Sequence, residues 1–402
     1  MKQGWEIKRL SEIGKVYNGN SINEKVKKDN YADLEDGIPF IATKDISYES
    51  EIDYDNGIKI PFAEKSSFKT ASKNTVLICA EGGSAGRKIG FTNQEVCFGN
   101  KLFALATNKN IESRYVYYYY FSATFQKDFA VELAGIIGGV SMNKFKDLEI
   151  PLPPLPEQQR IVSILDEAFA AIAKAKANAE QNLKNAKELF ESYLQGVFEN
   201  KGDGWEEKTF EDVCNLVGGS QPSKDDFIYE PKEGYIRLIQ VRDYRTSKYI
   251  TYIPKDKARR FCSENDIMIG RYGPPIFGIF KGLEGAYNVA LMKAEVNTKI
   301  CNSDYFFWFL KTNKLRVFVE NSSKRAAGQD GIRKELLDKY PVPLPKSLKT
   351  QQSIVHKLEA LSTEAKKLEA IYQIKINDLE ELKKSVLQKA FNGELNNKIL
   401  TK

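Results

Sequence analysis

The chain has 402 residues, 42% hydrophobic and 28% charged, and a net charge of +6 from 60 basic and 54 acidic residues. That is an ordinary globular composition with room for two or three domains, and its charge permits an anionic partner without demanding one. No apolar run approaches the roughly 20 residues that span a membrane. The five cysteines, at positions 79, 97, 214, 262 and 301, have no metal-like spacing, and with no secretory signal they predict reduced thiols in a cytoplasmic protein.

Residues 1–152 form a first globular region of short apolar runs broken by turn residues. Ile38 to Ala42 and Thr75 to Cys79 predict strands. Glu81 to Lys88 predicts a glycine loop between strands, and Gly99-Asn100-Lys101 leads into another strand from Leu102 to Leu105. The aromatic stretch from Tyr115 to Phe129 predicts one helix packed on the sheet. Pro151 to Pro156 predicts an extended hinge, because proline cannot continue a helix and restricts the residue before it. A first long helix occupies 153–200, ends near Phe198 and stops at Asn200-Lys201-Gly202-Asp203-Gly204.

Residues 201–345 replay the first region. Gly204-Trp205-Glu206 echoes Gly4-Trp5-Glu6 at an offset of 200 (204 − 4), and Gly219-Ser220-Gln221 lies where Gly19-Asn20-Ser21 lies. Tyr235 to Asp243 echoes Ile38 to Asp45, and Asp266 to Gly273 echoes the strand and loop at 75–83. A second proline stretch, Pro341-Val342-Pro343-Leu344-Pro345, opens onto a second long helix and a tail over 346–402.

The two long helices are copies. Gln158-Gln159 matches Gln351-Gln352 at an offset of 193 (351 − 158), and the offset holds without a gap through Phe198 and Phe391. Each copy shows a heptad seam. The first places Ile161, Leu165, Ala168, Ile172, Ala175, Ala179, Asn182, Ala186, Leu189 and Tyr193 at steps of four and three; the second places Ile354, Leu358, Leu361, Ala365, Leu368, Tyr372, Lys375, Leu379, Leu382 and Val386 likewise. An alanine-rich stripe and a leucine-rich stripe predict that the copies pack on each other.

No catalytic constellation stands out. The single histidine, His356, lies on the second long helix and reads as a helix residue, which excludes a multi-histidine metal site. The loop Gly82-Gly83-Ser84-Ala85-Gly86-Arg87-Lys88 lacks the phosphate-loop spacing, since Ile89 follows the lysine where a hydroxyl would hold magnesium. No dinucleotide fingerprint or Pro-Asp nuclease pattern is present, and Gly273-Pro274-Pro275-Ile276 lacks the residues of an adenine-methylation motif. DNA recognition fits better, because base edges are read by Arg, Lys, Asn, Gln and Ser while basic residues neutralise phosphates. The first region offers Asn20, Ser21, Lys44, Arg87, Lys88, Asn100, Lys101, Asn143 and Lys144 at loop-like positions. The second offers Ser220, Gln221, Arg237, Gln240, Arg242, Arg271, Tyr272, Arg325 and Gln329. Each of these also reads singly as a solvated surface residue; the signal is the set and its duplication.

With the Pro-Leu-Pro hinges before the glutamine pairs, the Leu-Gln-x-x-Phe helix ends at Leu194 and Leu387, and a tryptophan opening each half, the chain resembles the specificity subunit of type I restriction–modification systems over essentially its full length. The second hinge departs by the insertion Lys346-Ser347-Leu348-Lys349-Thr350. The resemblance implies an α+β fold: two mixed α/β target recognition domains separated by two long helices that form an antiparallel coiled coil, a pseudo-twofold internal repeat. It implies a non-catalytic subunit in which each globular domain reads one half of a bipartite asymmetric double-stranded DNA target. The helices would set the half-site spacing and dock two methyltransferase subunits, with restriction (endonuclease/translocase) subunits as further partners. No cofactor is expected on this chain, S-adenosylmethionine, ATP and Mg belonging to the partner subunits. The other reading of the residues is a coiled-coil interaction adaptor without DNA specificity.

Overall fold

The structure, a computed structural model, describes residues 3–31, 34–134, 138–272, 277–323 and 331–395. They fall into two units: Met1–Ala179 with Ile374–Lys402, and Glu180–Gln373.

The first unit contains strands β1 (Glu6–Arg9), β2 (Gly14–Asn18), β3 (Ile38–Ile41), β4 (Lys59–Ile60), β5 (Thr70–Ala71), β6 (Val76–Cys79), β7 (Ile89–Phe91), β8 (Val96–Phe98), β9 (Leu102–Thr107) and β10 (Glu149–Leu152). They build an antiparallel sheet in the order β2-β9-β6-β7, a mixed sheet β4-β3-β8-β5 in which β3 and β8 run parallel, and the antiparallel pair β1-β10. The second unit contains β11 (Trp205–Thr209), β12 (Cys214–Gly218), β13 (Tyr235–Ile239), β14 (Tyr252–Pro254), β15 (Phe261–Cys262), β16 (Ile267–Gly270), β17 (Ile279–Phe280), β18 (Gly285–Tyr287), β19 (Leu291–Val296) and β20 (Pro341–Pro345). Their orders, β12-β19-β16-β17, β14-β13-β18-β15 and β11-β20, repeat the first unit strand for strand.

The proline stretches are strands before they are hinges. Pro151 pairs with Ile7 and Pro343 with Glu207 in two-stranded ribbons, where a missing N–H is tolerated. The long helices then run Leu155–Glu199 and Leu348–Phe391. The aromatic stretch forms two helices rather than one, Ser113–Tyr119 and Ala123–Val131. The break comes at Ser122, whose hydroxyl caps the second helix by accepting from the Phe125 N–H at 3.2 Å.

The first glutamine of each pair is buried, Gln158 1% and Gln351 0% exposed. Gln158 Oε1 accepts from the Glu112 N–H at 2.9 Å, and its Nε2 donates to the Pro153 carbonyl at 2.8 Å. Gln351 Oε1 accepts from the Asn302 N–H at 2.6 Å, and its Nε2 donates to the Ile300 and Pro345 carbonyls at 2.9 and 2.8 Å. Glu112 and Asn302 are the N-caps of the two aromatic helices, so each glutamine ties a long-helix start to the aromatic helix of its unit. Tyr115 and Tyr305 add matching bonds to the Pro151 and Pro343 carbonyls at 2.6 and 2.7 Å.

Within each unit the start of one long helix packs antiparallel to the end of the other. In the first, Ile161, Leu165 and Ala168 share a core with Val386, Leu387, Ala390 and Phe391; in the second, Leu194 and Phe198 share one with Val355 and Leu358. Ile172 is buried as expected, and Ile354 and Leu379 are half-buried. The expected seam is wrong in phase elsewhere. Leu361, Leu368 and Leu382 are 41%, 42% and 47% exposed, and Leu189 is 72% exposed. Asn182 and Lys375 are exposed too, so the polar seam positions are surface residues. On the second helix every seventh residue from Leu358 is kept, but the intervening place goes to Ser362, Glu369 and Ile376. Steps of three-then-four and four-then-three are equally periodic, so spacing alone does not choose between them. Near the end of the first helix, Phe190 and Leu194 replace Leu189 and Tyr193, because the face there turns onto Trp308, 5.6 Å from Phe190.

Replacing Gln351 with alanine leaves one amide and two carbonyls short of a partner, and should cost about 2–4 kcal/mol in urea denaturation of the full chain. The exposed neighbour Gln352→Ala should stay within about 0.5 kcal/mol of the parent.

Candidate nucleic-acid interface

Three loop segments meet at one end of the strands in the first unit. Asn20 N–H donates to the Phe98 carbonyl at 2.9 Å, Asn100 N–H to the Asn20 carbonyl at 3.1 Å, and Gly99 N–H to the Ile41 carbonyl at 2.8 Å. Gly19 permits this approach, since a Cβ there would collide with the Phe98 carbonyl oxygen. The result is a rim holding Asn20, Ser21, Lys44, Asn100 and Lys101 around two adjoining grooves of about 700 and 220 Å³. Phe40, Ala42 and Thr43 line both grooves. Lys44 also borders a third hollow with Tyr48 and Lys88. There the Arg87 guanidinium and the Lys88 ammonium lie 5.0 and 5.2 Å from the Tyr48 ring centre, and Lys88 Nζ donates to the Thr43 carbonyl at 3.0 Å.

Not every expected residue is free for a ligand. The Asn20 side chain accepts from the Lys69 N–H at 2.7 Å, and Lys101 pairs with Glu81 at 3.3 Å. Asn143 and Lys144 sit on the helix Met142–Asp147 and line neither groove; Lys144 pairs with Glu132 at 2.7 Å. Sequence reasoning missed Lys27 and Lys28, which border the larger groove. The basic run Lys25-Val26-Lys27-Lys28 was the available signal.

The second unit repeats the stitching. Ser220 N–H donates to the Tyr287 carbonyl at 3.2 Å and Asn288 N–H to the Ile239 carbonyl at 3.1 Å, while a Cβ on Gly219 would collide with the Asn288 carbonyl oxygen. Ser220, Gln221, Gln240 and Arg242 thus occupy the matching segments, but Val289 and Ala290 stand where the first unit has Asn100 and Lys101. Arg271 joins through its N–H to the Ala290 carbonyl at 2.8 Å, and its guanidinium lies 4.9 Å from the Tyr272 ring centre. Tyr272 forms a β-bridge with Gly331. Gln221 Nε2 donates to the Pro222 carbonyl at 3.2 Å and Gln240 Nε2 to Thr251 Oγ1 at 3.2 Å. Arg325 and Gln329 lie outside the described residues.

Arg237 faces inward. Its Nη2 is 4.0 Å from Asp243 Oδ2, and Arg242 Nε is 3.9 Å from Asp243 Oδ1. Burial pushes the Asp243 carboxyl up from its ordinary value, against the pull of the Gln240 N–H and both arginines. No cluster of three metal-ligating side chains occurs among the described residues. All five cysteines are free and buried, and burial pushes the Cys97 and Cys262 thiols up to about 11, far from a reactive thiolate. No helix among the described residues is long and apolar enough to cross a membrane.

The family model for the type I restriction modification DNA specificity domain matches the chain twice, over residues 2–184 and 202–377, and the chain belongs to that family. Among individual proteins it is similar to the specificity subunit of the type I restriction enzyme EcoKI of Escherichia coli (strain K12), 24% identical over 98% of this chain and 90% of that one. The MjaVIII specificity subunit of Methanocaldococcus jannaschii is 22% identical over 98% of this chain and 93% of its own length. Among solved structures, the HsdS subunit from Thermoanaerobacter tengcongensis aligns at a TM-score of 0.64 with 18% identity, covering 98% of both chains. A chain from a structure on complex assembly and conformational transition of the type I R-M system aligns at 0.79 with 17% identity, covering 98% of this chain and 99% of that one. At these identities the structures share the fold.

Because the folded-state pKa of Asp243 is raised, its ionisation costs stability: the contribution is present below the unfolded pKa and lost as pH rises through the folded one. Thermal melts of Asp243→Asn, which cannot ionise, should therefore gain on the parent as pH rises through the carboxyl range; a constant difference would mean that the carboxyl does not titrate in that range.

Proposed function

We propose that each globular region reads one half of a bipartite, asymmetric double-stranded DNA target for a type I restriction–modification complex. The observation that carries this is one topology used twice with different rims: Lys44, Asn100 and Lys101 in the first unit stand against Arg242, Val289 and Ala290 in the second. A shared frame with dissimilar contact residues suits two different half-sites. Basic residues of the rims meet phosphates, and polar ones meet base edges in the major groove.

The long helices set the distance between half-sites and dock two methyltransferase subunits. Exposed Leu189 and Leu382 occupy matching positions of the two copies, so each unit offers a similar apolar foothold to one kind of partner. Those subunits supply S-adenosylmethionine chemistry and extrude the target adenine. Restriction subunits, bringing ATP and Mg, complete a system acting against foreign DNA. This chain contributes recognition and placement and binds no cofactor itself.

Mapping methylated adenines in DNA exposed to the assembled complex tests the reading: one split, asymmetric motif is expected, and methylation without a motif would overturn it. Affinity should fall linearly with salt on logarithmic axes. Arg87→Ala should relax or weaken only the half-site of the first unit, and Arg271→Ala only the other, by about 5- to 150-fold in affinity. A change in neither half-site with both substitutions would remove those residues from the interface. Inserting one heptad into one long helix should disrupt assembly or shift the half-site spacing that is tolerated.

A further inference from the structure

The strand β3 and its counterpart β13 both run into a 3₁₀ turn closed by a buried aspartate. These are Thr43–Asp45 in the first unit and Val241–Tyr244 in the second, with Asp45 and Asp243 2% and 7% exposed. We propose that Asp45 and Asp243 are positioning residues for DNA recognition, each fixing the turn that presents one cation to the duplex: Lys44 in the first unit, Arg242 in the second. This rests on the reading of the two rims as DNA-facing.

The closure is reciprocal and the same in both copies. Ala42 N–H donates to Asp45 Oδ2 at 2.8 Å while Asp45 N–H donates back to the Ala42 carbonyl at 3.0 Å. Gln240 N–H donates to Asp243 Oδ2 at 3.0 Å while Asp243 N–H donates to the Gln240 carbonyl at 2.9 Å. The residue before the aspartate is thereby held with its backbone fixed, at matching places in the repeat (243 − 45 = 198, 242 − 44 = 198). In the first unit that residue, Lys44, borders the larger groove.

The other carboxylate oxygen is used differently. Asp45 Oδ1 accepts from Asn56 Nδ2 at 3.1 Å, a neutral brace that leaves Lys44 untouched. Asp243 Oδ1 has no hydrogen-bond partner among the described residues; it faces Arg242 Nε at 3.9 Å. Arg242 Nη2 meanwhile donates to the Tyr249 carbonyl at 3.3 Å and to Thr251 Oγ1 at 3.2 Å, so the guanidinium is oriented while 47% of the side chain stays exposed. A carboxylate buried at a cost to stability is explained if its charge aims an arginine. A held guanidinium presents a fork suited to guanine or phosphate, whereas Lys44 presents a point charge. The two units thus share the device and differ in the cation delivered.

A double-mutant cycle on the assembled complex decides it, reading DNA affinity and methylation at each half-site. Arg242→Ala should weaken binding about tenfold and Asp243→Asn several-fold, both through the half-site of the second unit. The double variant should bind no worse than Arg242→Ala alone, because the aspartate acts through the arginine. Lys44→Ala and Asp45→Asn should behave likewise on the other half-site, and they decide the matter if Asp243→Asn fails to assemble. Multiplying losses, or an aspartate variant with parental affinity, would overturn the positioning role in a complex whose parent still discriminates sequences. A parent without sequence preference would instead overturn the functional reading.

Discussion

Two phenylalanines complete the cores through their ring contacts, and the rest of the structure depends on them. Phe391, at the end of the second long helix, packs on Tyr115 and Tyr119 at 5.2 and 5.1 Å between ring centres. Phe198, at the end of the first, packs on Tyr305 and Phe309 at 5.1 and 5.6 Å. Such ring pairs contribute about 0.5–1.5 kcal/mol each beyond area burial. Each long helix therefore leaves one unit through a buried glutamine and finishes in the core of the other unit through a phenylalanine. The first unit is therefore built from two separate pieces of chain, while the second is one continuous piece.

That exchange explains why the helices resemble each other more than the globular regions do. A helix must satisfy two cores at fixed registers, through Gln158 or Gln351 at its start and Phe198 or Phe391 at its end. The rims are held to no such pair of cores, and they differ: Lys101 in the first unit has Ala290 as its counterpart. What must pack is held by geometry, and what must discriminate is free to vary.

The repeat, the strand positions and the long helices were legible because identity at a fixed offset and apolar periodicity survive in one chain. The seam phase was not, because Leu361 and Ser362 are equally good neighbours of Leu358 by spacing alone, and only the facing helix chooses between them. The glutamine pair was visible as a motif, but its role as a brace depends on Asn302 and Glu112, residues distant in sequence. At the rims, residue type pointed to Lys44 and Arg242 and equally to Arg237, whose inward orientation follows from the buried Asp243. Lys27 and Lys28 were passed over because residue type alone does not separate a groove-lining lysine from the other lysines of the chain.

The discontinuous first unit has a consequence for synthesis. The core of the first unit includes Val386, Leu387, Ala390, Phe391 and Leu395, which a ribosome adds after every residue of the second unit. Tyr115 and Tyr119 must therefore wait, with their ring faces uncovered, while more than half of the chain is translated. The second unit, whose members all lie between Glu180 and Gln373, has its residues available earlier. Folding thus runs against the order of synthesis: the N-terminal half is begun first and finished last, and it is the half most exposed to misassembly on the way.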